Sequence, residues 1–332
     1  MSELTRFFKP GAKVTALPSW SSPRLLMSST SPLARWRQSE FYPAFKPAAK
    51  VLKQALKLKA LTGLGEREVE GGPRLPVPFE PSAVTVLAGT QGPAQKLTAQ
   101  LWKNGRVGAY LKFASLPAAK HSLEREREML SALPPGLGPE LLSFGTFADG
   151  LALVTEPVAG AQLAATLPVP DSVALFLDAL EQRQERPAEG FAITKGLLAR
   201  EPRLVEPWLK VLGGKVWPVC YHHGDFTPWN VLASGTELRA IDWEYGSLEA
   251  PPHLDLAFYV LQVSALIYKT APTEALDKAA ATLKHFRPAL SRAEAEVFVK
   301  LSALYAYVQA ETDGHPADTF LQQWRVGVYK NS

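Results

Sequence analysis

The run His223-Gly224-Asp225-Phe226-Thr227-Pro228-Trp229-Asn230, followed by Ile241-Asp242-Trp243-Glu244, constrains this chain more than any other stretch. Short apolar segments that read as strands, Val219–Tyr221, Val231–Leu232 and Leu238–Ile241, flank the two motifs. An Asp five positions before an Asn, on one loop, places a carboxylate and an amide oxygen near a common point. A second Asp at the end of the following strand adds another carboxylate. Such a set of hard oxygen donors suits Mg²⁺.

The rest of the chain divides by pattern. Residues 1–80 hold strand-like pieces, Lys13–Ala16 and Arg24–Met27, between Pro and Ser turns. A helical stretch follows, Ala48–Leu61, with Val51, Leu52, Ala55, Leu56 and Leu58 mostly on one side. Residues 31–60 carry seven Lys or Arg against one Glu, so this part is basic. Gly71-Gly72-Pro73, Pro76 and Pro78 read as a linker. Strands come next: Val84–Leu87, a turn Gly89-Thr90-Gln91-Gly92-Pro93, Lys96–Lys103, an Asn104-Gly105 hairpin and Val107–Phe113. A helix from His121 to Leu133 stops at Pro134-Pro135-Gly136, and strands around Leu141–Phe147 and Leu151–Glu156 complete a small sheet. From about residue 170 the pattern is mainly helical.

The expected fold class is therefore α+β in three parts: a basic extension over 1–80, a small antiparallel five-stranded lobe with one helix over 81–158, and a helical lobe over 159–332. A chain of 332 residues is long enough for two such lobes. The formal net charge of +4 does not argue for nucleic acid. Cys220 is the single cysteine, which excludes an intrachain disulfide and fits a reducing compartment. No signal-peptide pattern opens the sequence, and the apolar stretch Leu254–Tyr268 falls short of the roughly 20 residues a spanning helix needs. A cytoplasmic location is expected. The basic helical stretch, residues 46–61, could face a membrane surface with Lys50, Lys53, Lys57 and Lys59.

Phosphoryl transfer needs few protein groups: a carboxylate that orients a hydroxyl and takes its proton, and metal ligands that hold nucleotide phosphates. HGDFTPWN followed by IDWE resembles the aminoglycoside phosphotransferase and choline kinase superfamily, which has the two-lobed protein-kinase-like fold. The resemblance covers residues 83–310 and implies ATP and Mg²⁺ as cofactors. It implies Asp225 as catalytic base, His223 as the histidine that braces the loop, and Asn230 and Asp242 as Mg²⁺ ligands. Asp255, in Pro252-His253-Leu254-Asp255, matches a carboxylate that opens a helix and supports the loop. In the upper lobe, Gly89 and Gly92 stand where backbone amides cover ATP phosphates. Lys112, within Tyr110-Leu111-Lys112-Phe113, stands where a lysine binds phosphate; Glu126 fits best as its ion-pair partner, because Met129, Leu130 and Leu133 then pack beneath it at helical spacing, with Glu128 as the fallback. Glu156 and Val158 fall on the segment that presents backbone groups to adenine.

These readings predict an ATP-dependent phosphotransferase acting on a hydroxyl of a small metabolite, sugar-like or an amino alcohol. The alternative is a pseudokinase, a nucleotide-binding or scaffold module on the same fold. An aminoglycoside is disfavoured as acceptor because it carries several ammonium groups and calls for clustered carboxylates. Residues 160–210 carry seven acids against six bases, and residues 265–332 seven against eight.

Overall fold

The computed structural model describes residues 2–29, 31–42, 47–89, 92 and 94–330. Its backbone divides into two compact units, Met1–Arg127 with Glu140–Pro157, and Glu128–Pro139 with Val158–Ser332.

Alternating apolar residues build the first unit around one antiparallel sheet. Its strands are β1 (Ala12–Pro18), β2 (Pro23–Met27), β3 (Arg67–Val69), β4 (Ala83–Ala88), β5 (Leu97–Lys103), β6 (Arg106–Ala114), β7 (Leu141–Phe147) and β8 (Gly150–Thr155). They lie in the order β3-β1-β2-β4-β5-β6-β8-β7. Helices α1 (Ser2–Thr5), α2 (Pro32–Ser39), α3 (Pro47–Thr62) and α4 (Pro117–Ala132) accompany it. Period-two alternation sends Val14, Leu26, Val86, Ala99, Leu111 and Val154 to one face, where Phe7, Phe113 and Phe147 join them. On the other face Leu17, Leu25 and Met27 pack with Leu56 and Ala60 of α3.

The sheet thus has eight strands among the described residues, where the sequence led to five. The five expected strands are β4 to β8. The three additional ones come from the segment read as an extension. The outer edge of β4 is hydrogen-bonded by β2, with Leu25 opposite Leu87 and Leu26 opposite Val86. These partners stand about sixty residues apart, beyond the reach of local periodicity. The pairing is favourable because it buries the apolar residues of β1 and β2 and removes an exposed edge. Deleting residues 1–70 is therefore expected to leave β4 bare and one core face open, giving an insoluble protein. Soluble yield and far-UV circular dichroism check this; a soluble, fully structured truncation would show that the sheet can end at β4.

Helix α3 differs from its expected stripe. Leu56 is buried, but Val51, Leu52 and Leu58 are exposed. Lys53, Lys57 and Lys59 are engaged within the chain: Lys57, buried, pairs with Glu40 and lies 4.1 Å from the Trp36 ring centre. Lys53 is 3.3 Å from Glu40, and Lys59 donates to the Pro18 carbonyl. Lys46, the first residue of the proposed membrane-facing stretch, lies outside the described residues.

The second unit is mainly helical. It contains β9 (Ala161–Gln162), α5 (Asp171–Asp178), β10 (Glu181–Pro187), α6 (Ala192–Arg200), α7 (Pro202–Leu212), β11 (Val216–His222), β12 (Val231–Ser234), β13 (Glu237–Ala240), β14 (Ser247–Ala250), α8 (Leu254–Val263), α9 (Pro272–Phe286), α10 (Arg292–Thr312) and α11 (Phe320–Lys330). Every residue of α8 is buried, which explains the unbroken apolar character of that stretch. Among the described residues no helix is long and apolar enough to cross a membrane. Two three-stranded sheets, β10-β11-β14 and β13-β12-β9, frame the loops that carry the two motifs. Ser291 caps α10 in a reciprocal box: Glu294 N–H donates to Ser291 Oγ, and Ser291 N–H donates to Glu294 Oε2.

Candidate active site

Strand β11 delivers the chain to His223, and β12 takes it up again at Val231. The loop between them turns at Gly224, whose φ is +80°. A Cβ there would stand 2.3 Å from the Tyr245 carbonyl oxygen, so only glycine fits. Replacing Gly224 by Ala is expected to cost at least ~2 kcal/mol and to displace Asp225, since strained backbone and a backbone clash add. Urea unfolding midpoints and turnover check this; an unchanged midpoint would mean that the Tyr245 turn yields freely.

Asp255 holds the start of the loop. It lies in the first turn of α8, and its two carboxylate oxygens accept the His223 and Gly224 amides at 2.8 and 3.1 Å. His222 Nε2 is 3.3 Å from the same carboxylate. These bonds satisfy buried backbone donors that a loop cannot satisfy by itself. Asp255 therefore holds the loop backbone through both of its carboxylate oxygens.

The His223 ring joins two segments. Its Nε2 lies 2.9 Å from the Ile241 carbonyl, and its Nδ1 lies 3.2 Å from the Asp225 amide. A carbonyl can only accept and an amide can only donate, so the ring carries its proton on Nε2. Burial drives the His223 pKa down, which keeps that neutral tautomer. His223 is thus a brace between the loop and the strand end that carries Asp242. Trp243 packs on this brace, 4.6 Å from the His223 ring centre, with its indole N–H on the Ala240 carbonyl. It is a packing residue.

Asp225, Asn230 and Asp242 come from adjacent positions of one small framework. Pro228, Trp229 and Asn230 form a single 3₁₀ turn entering β12. The Asn230 carbonyl accepts the Ile241 amide at 2.8 Å, which sets Asp242 beside the loop end. Asn230 Nδ2 donates to Asp225 Oδ2 at 2.9 Å and to the Asp225 carbonyl at 3.0 Å. Its amide oxygen thereby faces away from those bonds. Asp242 adopts a left-handed backbone, φ 72° and ψ 55°, a conformation Asp tolerates better than most residues. Burial, and then the Asp242 charge, push the Asp225 carboxyl up to about 7. The Asp242 carboxylate and the Asn230 amide oxygen are hard oxygen donors of the kind that Mg²⁺ takes. Glu244, the last residue of the second motif, brings its carboxylate within 4.8 Å of that of Asp242. Its position two residues after Asp242, across a tight turn, is the signal that could have pointed to it.

The candidate groups of the first unit form their own cluster. Lys112 Nζ, on β6, lies 2.6 and 2.7 Å from the two oxygens of Glu126 on α4. Glu126 is 1% exposed, and it is the partner rather than Glu128. Such a two-point pair fixes an otherwise mobile ammonium. Gly89 is less available than expected: its amide donates to the Lys96 carbonyl at 2.9 Å within the β4–β5 turn. Gly92 is an open position, and its carbonyl accepts the Gln95 amide at 3.0 Å. Thr90, Gln91 and Pro93 of that turn lie outside the described residues. Glu156 follows β8, with its amide on the Glu140 carbonyl at 3.0 Å; Val158 opens the second unit. Cys220 is buried and its thiol pKa is pushed far up, so it is not a nucleophile.

No protein-family model matches the chain, and no curated protein matches it. Among solved structures it is similar to a thermostable mutant of the aminoglycoside phosphotransferase APH(4)-Ia, with 16% identity and TM-score 0.49 over 74% of this chain and 94% of that one. It is also similar to an ethanolamine kinase from Plasmodium vivax, with 11% identity and TM-score 0.48 over 74% and 80%. A choline/ethanolamine kinase family protein from Mesorhizobium loti shows 15% identity and TM-score 0.47 over 74% and 85%.

Proposed function

We propose that this protein is a phosphotransferase that uses Mg-ATP to phosphorylate a hydroxyl of a small metabolite. The observation that carries the reading is the Asp225–Asn230–Asp242 framework braced by His223. Asn230 and Asp242, with Glu244 close by, would hold Mg²⁺, which when bound neutralises the charge of the nucleotide phosphates. Lys112, held by Glu126, supplies a positioned ammonium for a phosphate.

Asp225 is the base. Asn230 and the braced loop orient its carboxylate, and a pKa near 7 lets it hold a proton at neutral pH. The acceptor oxygen forms a bond to the γ-phosphorus as the bond from that phosphorus to the ADP oxygen breaks. The hydroxyl proton passes to the Asp225 carboxylate. Neutral His223, with its proton committed to the Ile241 carbonyl, positions the loop and exchanges no proton itself.

ATP binding with and without Mg²⁺, followed by ADP release in the presence of sugars and amino alcohols, tests the reading. Mg²⁺-dependent binding with acceptor-stimulated ADP release is expected. Binding without turnover on any acceptor would favour a nucleotide-binding module, and no binding at all would overturn both.

A further inference from the structure

The first unit holds a cavity that the phosphotransfer groups do not use. Its volume is about 390 Å³, within the usual range for small-molecule sites. Three stretches far apart in sequence wall it: residues 7–13, Ser28 just past β2, and the segment 72–84 that leads into β4. All of them belong to the same compact unit. The cavity lies on the sheet face away from Lys112. Its wall residues Phe7 and Val84 belong to the packed face that carries Leu111 and Phe113. Lys112, between those two, turns to the opposite face and to Glu126.

The interior and the mouth differ in chemistry. Phe7, Phe8 and Val84 are buried, and Leu75 and Phe79 are half-buried, so the inner wall is apolar and largely aromatic. The wall hydroxyls are already used: Ser28 Oγ accepts the Val84 amide at 2.8 Å, and Ser82 Oγ donates to the Trp102 carbonyl at 3.1 Å. The charged residues are exposed, at the mouth: Lys9, Lys13, Arg74 and Glu80. Lys9 is paired with Glu80 at 2.6 Å. Lys13 stands opposite Glu68 in the β1–β3 register. Among the described residues, however, neither Lys13 nor Arg74 has a carboxylate oxygen within 4.0 Å.

An apolar interior favours an apolar body, by about 25 cal/mol per Å² removed from water. Aromatic rings add edge and face contacts for a flat one. Two uncommitted cations at the mouth, with the one lining acid already paired, favour a negative head over a neutral or positive one. With the serine hydroxyls committed to backbone, the interior has little to offer a polyhydroxylated ligand.

We infer that this cavity is a second ligand site, for a small amphipathic anion. Its flat apolar body lies against Phe7, Phe8 and Phe79, and its carboxylate or phosphate meets Lys13 and Arg74. The site stands apart from the phosphotransfer groups. Occupancy ties residues 7–13 to the start of β4, so a bound ligand should also raise the melting temperature.

Four naphthalene probes test this: 2-naphthoate, 2-naphthyl phosphate, 2-naphthol and 2-naphthylmethylammonium. Their affinities for the full chain are measured by calorimetry at pH 7 and low salt, with and without excess ATP and Mg²⁺. One or both anions are expected to bind at least ~10-fold more tightly than the neutral and cationic probes, the scale of one charge-assisted hydrogen bond. ATP should not displace them, and which anion prevails distinguishes carboxylate from phosphate. Lys13→Glu with Arg74→Glu should abolish the preference; Lys13→Gln with Arg74→Gln gives the same reading should charge reversal disturb the fold. Absent or equal binding of the four probes, binding that ATP abolishes, or an anion preference that survives loss of both cations overturns the inference.

Discussion

Asparagine in place of Asp225 is expected to lower kcat at least ~10²-fold, the usual scale for losing a positioned base, while making the metal-free protein more stable at neutral pH. The two effects have one cause. Burial, with Asp242 close by, raises the Asp225 pKa to about 7 in the folded chain. In the unfolded chain it titrates near 3.9. Between those values the folded state holds a proton that the unfolded state has released, so stability falls as pH rises through this window. Above about pH 7 the full cost of a buried carboxylate is present. The amide has no such charge. It should gain about 1–4 kcal/mol at pH 8, since each pKa unit is worth about 1.36 kcal/mol. Thermal melts of both proteins from pH 4 to 8 without metal, beside steady-state rates with it, read both halves. A variant that loses stability along with activity would make Asp225 a structural residue.

Replacing Asp242 should remove the Mg²⁺ enhancement of nucleotide affinity. Asparagine is the better substitute than alanine here. Residue 242 sits at φ 72°, where asparagine is tolerated and alanine adds backbone strain. The variant keeps the turn into Trp243 and loses only the charge, and with it the main anionic ligand of a divalent cation. At least ~10-fold loss of the Mg²⁺-dependent part of ATP affinity is expected, with metal-independent binding little changed. Titrations of ATP with and without Mg²⁺ measure it. An Mg²⁺ effect of unchanged size would remove Asp242 from the metal site and leave Glu244 as the carboxylate to examine.

What the sequence alone determined is local. Pro228 at the head of a short turn, Gly224 at a positive φ and the spacing from Asp225 to Asn230 are properties of eight consecutive residues, and the loop they specify is the loop that forms. The five strands β4 to β8 and the helix carrying Glu126 were legible for the same reason, because alternation and helical periodicity act over a few residues. The membership of β1, β2 and β3 in the sheet was not legible. It depends on Leu25 meeting Leu87 and Leu26 meeting Val86, contacts that exist only once the intervening chain has folded back. Nor could sequence decide which of Glu126 and Glu128 meets Lys112, since both lie on one short helical stretch and only the turn of α4 against β6 selects the first. Local sequence sets dihedral preferences, and those carry the motif loop. Long-range pairing follows from shared burial and from the need to satisfy buried donors and charges, and only the tertiary structure decides which distant groups satisfy them.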